Sequence, residues 1–389
     1  MKCVKEIDVK NKKVILRCDL NVPLKNNNII SDEKIIASLK TIKYLINQKA
    51  KIILMSHLGK IKSSDDLKTK SLLPIYNYLK KLLPDINIYF SAKTRGADLE
   101  ALVKNLKETE IVLIENTRFE DLDNKKESNN DYELAKYWAS LGDVFINDAF
   151  GLTHRKHSSN NRIKEFLPSG YGFLIEEELS KLDLLLKPNR PFTVLMGGAK
   201  VEDKSLLIKN ILKECDFLLL GGGIANTFLA VNNEVGESLI SFEYINEAKK
   251  LLLKYPNKII MPTDVVVINN NFISIKEIKK LNNKDKILDL GPKSIELFKR
   301  YLEKSETVFI NGTVGLYEDE RFSFGTKSIL EISSSINGQT ILGGGDAVAS
   351  SKYFNINNFY HLSTGGGATL EYIATKKLKC MESGNVNNS

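Results

Sequence analysis

The chain has 389 residues, 42% hydrophobic and 27% charged, too long for one ordinary core and suited to two domains of about 190 residues each. Its net charge of +8 comes from lysines spread over many predicted helix faces and interleaved with glutamate and asparagine, which reads as a solvated surface, not a nucleic-acid interface. No run approaches a membrane span, the first 13 residues lack an apolar leader core, and Cys3, Cys18, Cys215 and Cys380 stand too far apart for a disulfide framework or zinc site, so a cytoplasmic protein with free, mostly buried thiols is expected.

Strand-like runs fall at 14–18, 51–56, 111–115 and 143–147, then at 192–196, 216–220, 258–261, 307–310 and 340–342, alternating with amphipathic helical stretches. Such alternation builds an α/β fold with parallel sheets covered by helices on both faces. The stretch 32–48 predicts a helix: Ser31 can cap it, Asp32 and Glu33 complement the dipole, and Ile35, Ile36, Leu39, Ile42 and Leu45 recur at helical spacing. A second helix over 173–187, closed by Pro188 and Pro191, is a candidate link between the halves. The expected division is 1–170, a linking segment 171–190, 191–370 and a C-terminal segment 371–389, whose polar end from Glu382 is expected to fray.

Polar or glycine-bearing motifs begin where these apolar runs stop, the place where open α/β sheets collect ligands. They sort by chemistry. Residues 1–190 hold 6 of the 24 glycines and three of the four histidines, with Arg17, His57, Lys60, Arg118, His154 and Arg155 at or just past strand ends. Residues 191–389 hold the other 18 glycines, including the triplets at 221–223, 343–345 and 365–367. Clustered cationic side chains suit a small, highly charged anion, whereas glycine amides at helix starts suit a polyphosphate. Two anionic ligands are therefore expected, one per half. After the run 340–342, Gly343, Gly344, Gly345 and Asp346 precede a helix expected from Ala347, an amide-lined pocket whose carboxylate can hold Mg2+. Lys200 and Lys204 would share a helix face if that stretch is already helical. Neither GxxxxGK[ST] nor a complete GxGxxG occurs, which weighs against Walker NTPases and nicotinamide dehydrogenases.

The motifs VILRCDLNVPLK, LMSHLGK, ENTRFE, NDAFGLTHRKHSS, LMGGAKVEDKS, GGGIANTFL, LGPKSIELF, INGTVGLYE, GGGDAVAS and STGGGATLEY, spread over about 14–372, resemble the phosphoglycerate kinase family in order and spacing. The resemblance implies two Rossmann-like, doubly wound domains joined by a helix, with the C-terminal segment returning to the first. It implies Mg2+-dependent, reversible phosphoryl transfer from 1,3-bisphosphoglycerate to ADP, giving 3-phosphoglycerate and ATP; ligand sets on separate domains would have to close on one another and need no subunit contact, so a monomer is expected. By that resemblance Asp19 and Asn21 would hold the glycerate, and His57, Lys60, Arg118 and Arg155 its phosphate. Lys34, Lys200, Gly344 and Gly367 would surround the transferred group. Gly198, Lys204, Gly222, Gly223, Asn311, Glu318, Gly344, Gly345, Asp346 and Ala347 would bind the nucleotide, with Asp346 also on the metal. The chain departs from the family where Lys34 and Lys60 replace arginine and Ala347 replaces threonine, which predicts a working but slowed kinase. The alternative is a relative that binds nucleotide without useful turnover.

Overall fold

The computed structural model describes residues 1–363 and 365–381, with the side chains of Asp203 and Lys379 left aside. Two compact units emerge: Met1–Leu179 together with the segment from Lys377, and Ser180–Lys376.

The first unit is built on a seven-stranded, wholly parallel sheet in the order Lys2–Cys3, Ser169–Tyr171, Val144–Asp148, Lys13–Cys18, Lys51–Met55, Ile111–Ile114, Ile88–Ser91. Lys13–Cys18 is central, and every residue from Val14 to Cys18 is buried. Val14, Leu16 and Cys18 pack with Ile35, Ile42 and Leu45 on one face, while Ile15 packs with Leu134, Trp138 and Phe145 on the other. A strand buried on both faces reads as an unbroken apolar run, which is why it was legible. The helix Glu33–Asn47 follows. Its cap is Asp32, not Ser31, and no side-chain cap bond forms, because the Asp32 carboxylate instead accepts from the Tyr78 hydroxyl at 2.6 Å. Beyond Lys377, Cys380 N–H donates to Thr153 O at 3.2 Å and the N-terminal ammonium of Met1 donates to Met381 O at 3.2 Å. The tail from Glu382 lies outside the described residues.

The helix Phe173–Leu186 runs through the boundary between the units. In the second unit a six-stranded parallel sheet has the order Ile259–Ile260, Phe217–Leu220, Phe192–Met196, Thr307–Asn311, Gln339–Gly343, His361–Ser363. A separate antiparallel sheet of Phe272–Glu277, Asp264–Asn269 and Lys286–Leu290 was not foreseen. Its hairpin turns at Asn270 and Asn271, both at positive φ, and Phe272–Glu277 is largely exposed, so it lacks the apolar run that betrays a core strand. Two local expectations fail. Residues 202–204 form a tight 3-10 turn and the α-helix begins only at Ser205, so Lys200 and Lys204 do not share a helix face. The helix after Gly344 starts at Gly345, which places Asp346 in its first turn and not before it.

Candidate active-site residues

In the first unit the chain leaves three neighbouring parallel strands at their carboxyl ends and folds into a cluster of charged and polar side chains. Just past Lys13–Cys18, the Asp19 carboxylate accepts from Asn21 N–H at 3.2 Å and from the Lys34 ammonium, on the first turn of Glu33–Asn47, at 2.8 Å. Burial resists ionisation of Asp19, but Lys34 and the hydrogen bonds outweigh it and hold the pKa below the usual carboxylate range. Asn21 Oδ1 accepts from Gly59 N–H at 2.9 Å, tying this loop to the one that carries His57. His57 is 6% exposed, and its Nδ1 lies 3.3 Å from Nη2 of the wholly buried Arg17. A guanidinium only donates, so Nδ1 accepts and the ring proton sits on Nε2. Burial first, and the charges of Arg17, Arg118 and Lys34 with it, push the His57 pKa well below its ordinary value, the nearby Asp19 notwithstanding. His57 is thus a neutral donor, not one of the cationic groups.

Arg118 follows Ile111–Ile114 on a 3-10 turn whose cap, Asn116, accepts from Arg118 N–H at 3.0 Å. Its guanidinium pairs with Asp121. Lys60 and Arg155 are exposed; Arg155 Nε donates to His154 Nε2 at 3.0 Å, and neither residue makes a described bond to the Asp19–Lys34 pair. Asp19, Asn21, Lys34, His57 and Arg118 are therefore brought together, with Lys60 one residue beyond Gly59.

The second unit offers a cavity of about 650 Å3. Gly198, Gly222, Gly223, Glu318 and Asp346 line it. The glycines are needed because three strand-end loops interlock: a side chain on Gly222, at φ +59°, would meet Gly198 O at 2.9 Å, and one on Gly223 would meet Ala199 O at 2.2 Å. The Lys204 ammonium reaches back to Gly197 O at 2.7 Å and Asn311 O at 3.2 Å, and Asn311 Nδ2 donates to Gly343 O at 2.6 Å, so both tie neighbouring strand ends together. Lys200 is exposed. Gly344, at φ +98°, caps Gly345–Tyr353, and Gly367 opens the helix Gly367–Thr375. Ala347 is buried in the core cluster with Ile310 and Leu342, so that position offers only its backbone amide. Sequence reasoning missed the cavity's apolar wall, Leu239, Ile240, Phe242, Leu288 and Leu316, which suits the flat face of a base and comes from loops, a 3-10 turn and the unforeseen strand Lys286–Leu290. Among the described residues no group of three or more His, Cys, Asp or Glu could hold a metal unaided. Asp346, an exposed carboxylate on the wall in the first turn of Gly345–Tyr353, fits the habit of Mg2+, which takes one or two carboxylates plus substrate phosphates.

The family model "Phosphoglycerate kinase" matches residues 4–376. The chain belongs to the phosphoglycerate kinase family. It is 44% identical to the phosphoglycerate kinase of Macrococcus caseolyticus over 390 aligned residues, covering 98% of each chain, and 44% identical to that of Staphylococcus aureus over 388, covering 97% of each. Among solved structures it resembles phosphoglycerate kinase from Coxiella burnetii, with a TM-score of 0.86, 32% identity and 98% coverage of both chains. It also resembles that from Pyrococcus horikoshii, with a TM-score of 0.84, 29% identity and 99% coverage of both. The two doubly wound sheets are those of the family.

Proposed function

We propose that the first unit holds the phosphoglycerate and the second the nucleotide, in a reversible kinase reaction between 1,3-bisphosphoglycerate and ADP. The observation that carries the assignment is the contrast in chemistry: a buried cluster of charged side chains in one unit, a glycine-walled cavity with an apolar flank in the other. The P–O bond to the acyl carboxylate breaks, its electron pair stays on 3-phosphoglycerate, and a β-phosphate oxygen of ADP takes the phosphoryl group. A carboxylate leaves without protonation, since its pKa near ~4 makes it a stable anion at neutral pH. No general acid is required, which accords with a neutral His57 and an ionised Asp19.

The catalytic need is positioning and charge stabilisation over the transferring oxygens. In this reading Asp19 and Asn21 orient the glycerate, and Arg118, Arg155, Lys60 and the Nε2–H of His57 bind its phosphate. Lys34, Lys200 and the amides of Gly344 and Gly367 meet the transferring group. Lys204, Gly198, Gly222, Gly223, Asn311, Gly345 and Ala347 support the nucleotide phosphates, Glu318 the ribose, and Asp346 holds Mg2+, which neutralises phosphate charge when bound. Lys34 retains a full charge but only a point contact where an arginine would present a fork. The chain is further read as a cytoplasmic monomer using small-molecule substrates, without nucleic-acid or membrane partners; among the described residues no helix is long and apolar enough to cross a membrane. The reading of a binder without turnover has no observation in its favour.

Calorimetric titration tests the division. Arg118→Ala is expected to weaken 3-phosphoglycerate binding about tenfold or more while leaving ADP binding unchanged, and Asp346→Ala to weaken Mg-ADP while leaving 3-phosphoglycerate unchanged. Both ligands responding to the same single substitution would refute the assignment.

A further inference from the structure

Behind His57 the first unit buries a chain of polar groups that no step of the transfer uses. Arg17 is fully buried and spends its guanidinium in three directions: Nη1 donates to Cys18 O at 2.5 Å, Nη2 to His57 Nδ1 at 3.3 Å, and Nε to Ser159 Oγ at 2.9 Å. Because Ser159 Oγ accepts from Arg17, its own proton is directed to Glu127 Oε1, and Ser159 N–H donates to Glu127 Oε2 at 3.0 Å. Ser159 and Glu127 are themselves fully buried. The members come from four segments far apart in the chain: the end of Lys13–Cys18, the loop past Lys51–Met55, the turns after Arg118, and the loop after Arg155. His157 Nδ1 stands 4.0 Å from Glu127 Oε1, and Asp19, Lys34 and Arg118 act electrostatically on His57.

Burying an arginine and a glutamate away from water is costly unless their geometry is satisfied throughout, and a well-packed apolar pair would serve stability as well. Here a serine is interposed between a buried guanidinium and a buried carboxyl group. We propose that Glu127, Ser159 and Arg17 form a positioning relay that locks the His57 ring in its Nε2–H tautomer, so that a neutral donor is presented to the acidic substrate. Glu127 orients Ser159, Ser159 fixes the plane of the guanidinium, and the guanidinium, unable to accept, leaves Nδ1 no role but acceptor. Glu127 and Ser159 are thus positioning residues that never touch the reactants. The inference rests on reading His57 as a contact to 3-phosphoglycerate.

The test begins on the unaltered full-length chain. With 15N-labelled histidine, the His57 ring at neutral pH should show a protonated Nε2 and an unprotonated Nδ1; a proton on Nδ1, or a charged ring, overturns the relay whatever any variant does. Ser159→Ala and Glu127→Gln should then give a mixed tautomer signal and raise KM for 3-phosphoglycerate about tenfold, the loss of one oriented hydrogen bond, with KM for Mg-ATP within about twofold of its starting value. Ser159→Thr, which keeps the hydroxyl, should restore both readouts. His57→Ala separates the two claims. If it leaves KM for 3-phosphoglycerate unchanged, the substrate contact is wrong. If it raises that KM while folded Ser159→Ala and Glu127→Gln leave the tautomer and KM alone, the relay is wrong and the contact stands. Should Ser159→Ala not fold, the wild-type tautomer and Glu127→Gln decide.

Discussion

The two proposed anion sites start from the same strand-end geometry but are built by different means. The first surrounds its ligand position with side-chain charge and has to hold that charge in place. Asp19 is paired by Lys34, Arg118 by Asp121, and Arg17 is buried against His57 and Ser159. The second uses backbone, with glycines allowing loops to approach within contact and a cavity whose side chains are mostly apolar. Side-chain charge gives strong, directional binding of a small anion but requires a supporting network. Glycine amides are fixed by the fold itself and need only close packing.

The sharpest way to break this comparison is to remove Asp346, the carboxylate proposed to hold Mg2+ at the backbone-built site. Asp346→Ala should cut turnover by roughly 100-fold or more, several kcal/mol of phosphate-charge stabilisation, while KM for 3-phosphoglycerate stays put; a coupled assay reads both. Next comes the side-chain site. Lys34→Ala should lower kcat by about 10- to 150-fold, one charge-assisted contact of ~1.5–3 kcal/mol, and Lys34→Arg should raise it above the parent value. A kcat unmoved by Lys34→Ala would exclude this side chain from the transition state.

Acid stability sharpens the contrast in a different way. Burial, reinforced by Arg118 and Arg17, pushes His157 in the first unit down to about 3. A depressed histidine means the unfolded chain binds the proton more readily, so stability present above the unfolded value of about 6.5 is lost as pH falls below it. His157→Gln should therefore gain ~2 kcal/mol relative to the parent at pH 5 compared with pH 7.5, measured by urea unfolding. In the second unit burial lifts Asp289 up to about 7, with Gly325 N–H donating to it at 2.7 Å. That raised carboxyl has the opposite sign: its contribution is complete below the unfolded carboxylate value and is lost as pH rises through 7. Asp289→Asn should remove the fall in stability between about pH 4 and pH 7 on the same curve. The smallest expected effect is at the apolar wall, where Leu316→Ala should cost about 1 kcal/mol, or roughly fivefold, in ADP affinity without touching 3-phosphoglycerate.

Much of this was legible in the sequence because parallel strands buried on both faces write themselves as apolar runs, and the functional motifs sit at their ends. The central strand at 13–18 and the strand Phe192–Met196 were found for that reason. The antiparallel sheet at 264–290, exposed only along Phe272–Glu277, was not, since its register depends on tertiary pairing and an Asn-Asn turn and not on periodicity. At the site, residue types told which anion chemistry to expect, but not protonation. His57 was counted with the cations, and only the geometry of Arg17 against its Nδ1 makes it neutral. Likewise the sequence could not say that Lys34 is bonded to Asp19, or that Ala347 faces the core, because both depend on where a helix starts and how it rolls on its sheet.

The most direct measurement is ADP formation from Mg-ATP by the purified chain, followed with and without 3-phosphoglycerate. Turnover that requires the acid substrate and collapses in both Arg118→Ala and Asp346→Ala is the predicted result. Hydrolysis of ATP at the same rate without 3-phosphoglycerate, or no turnover at all with both ligands bound, would contradict it.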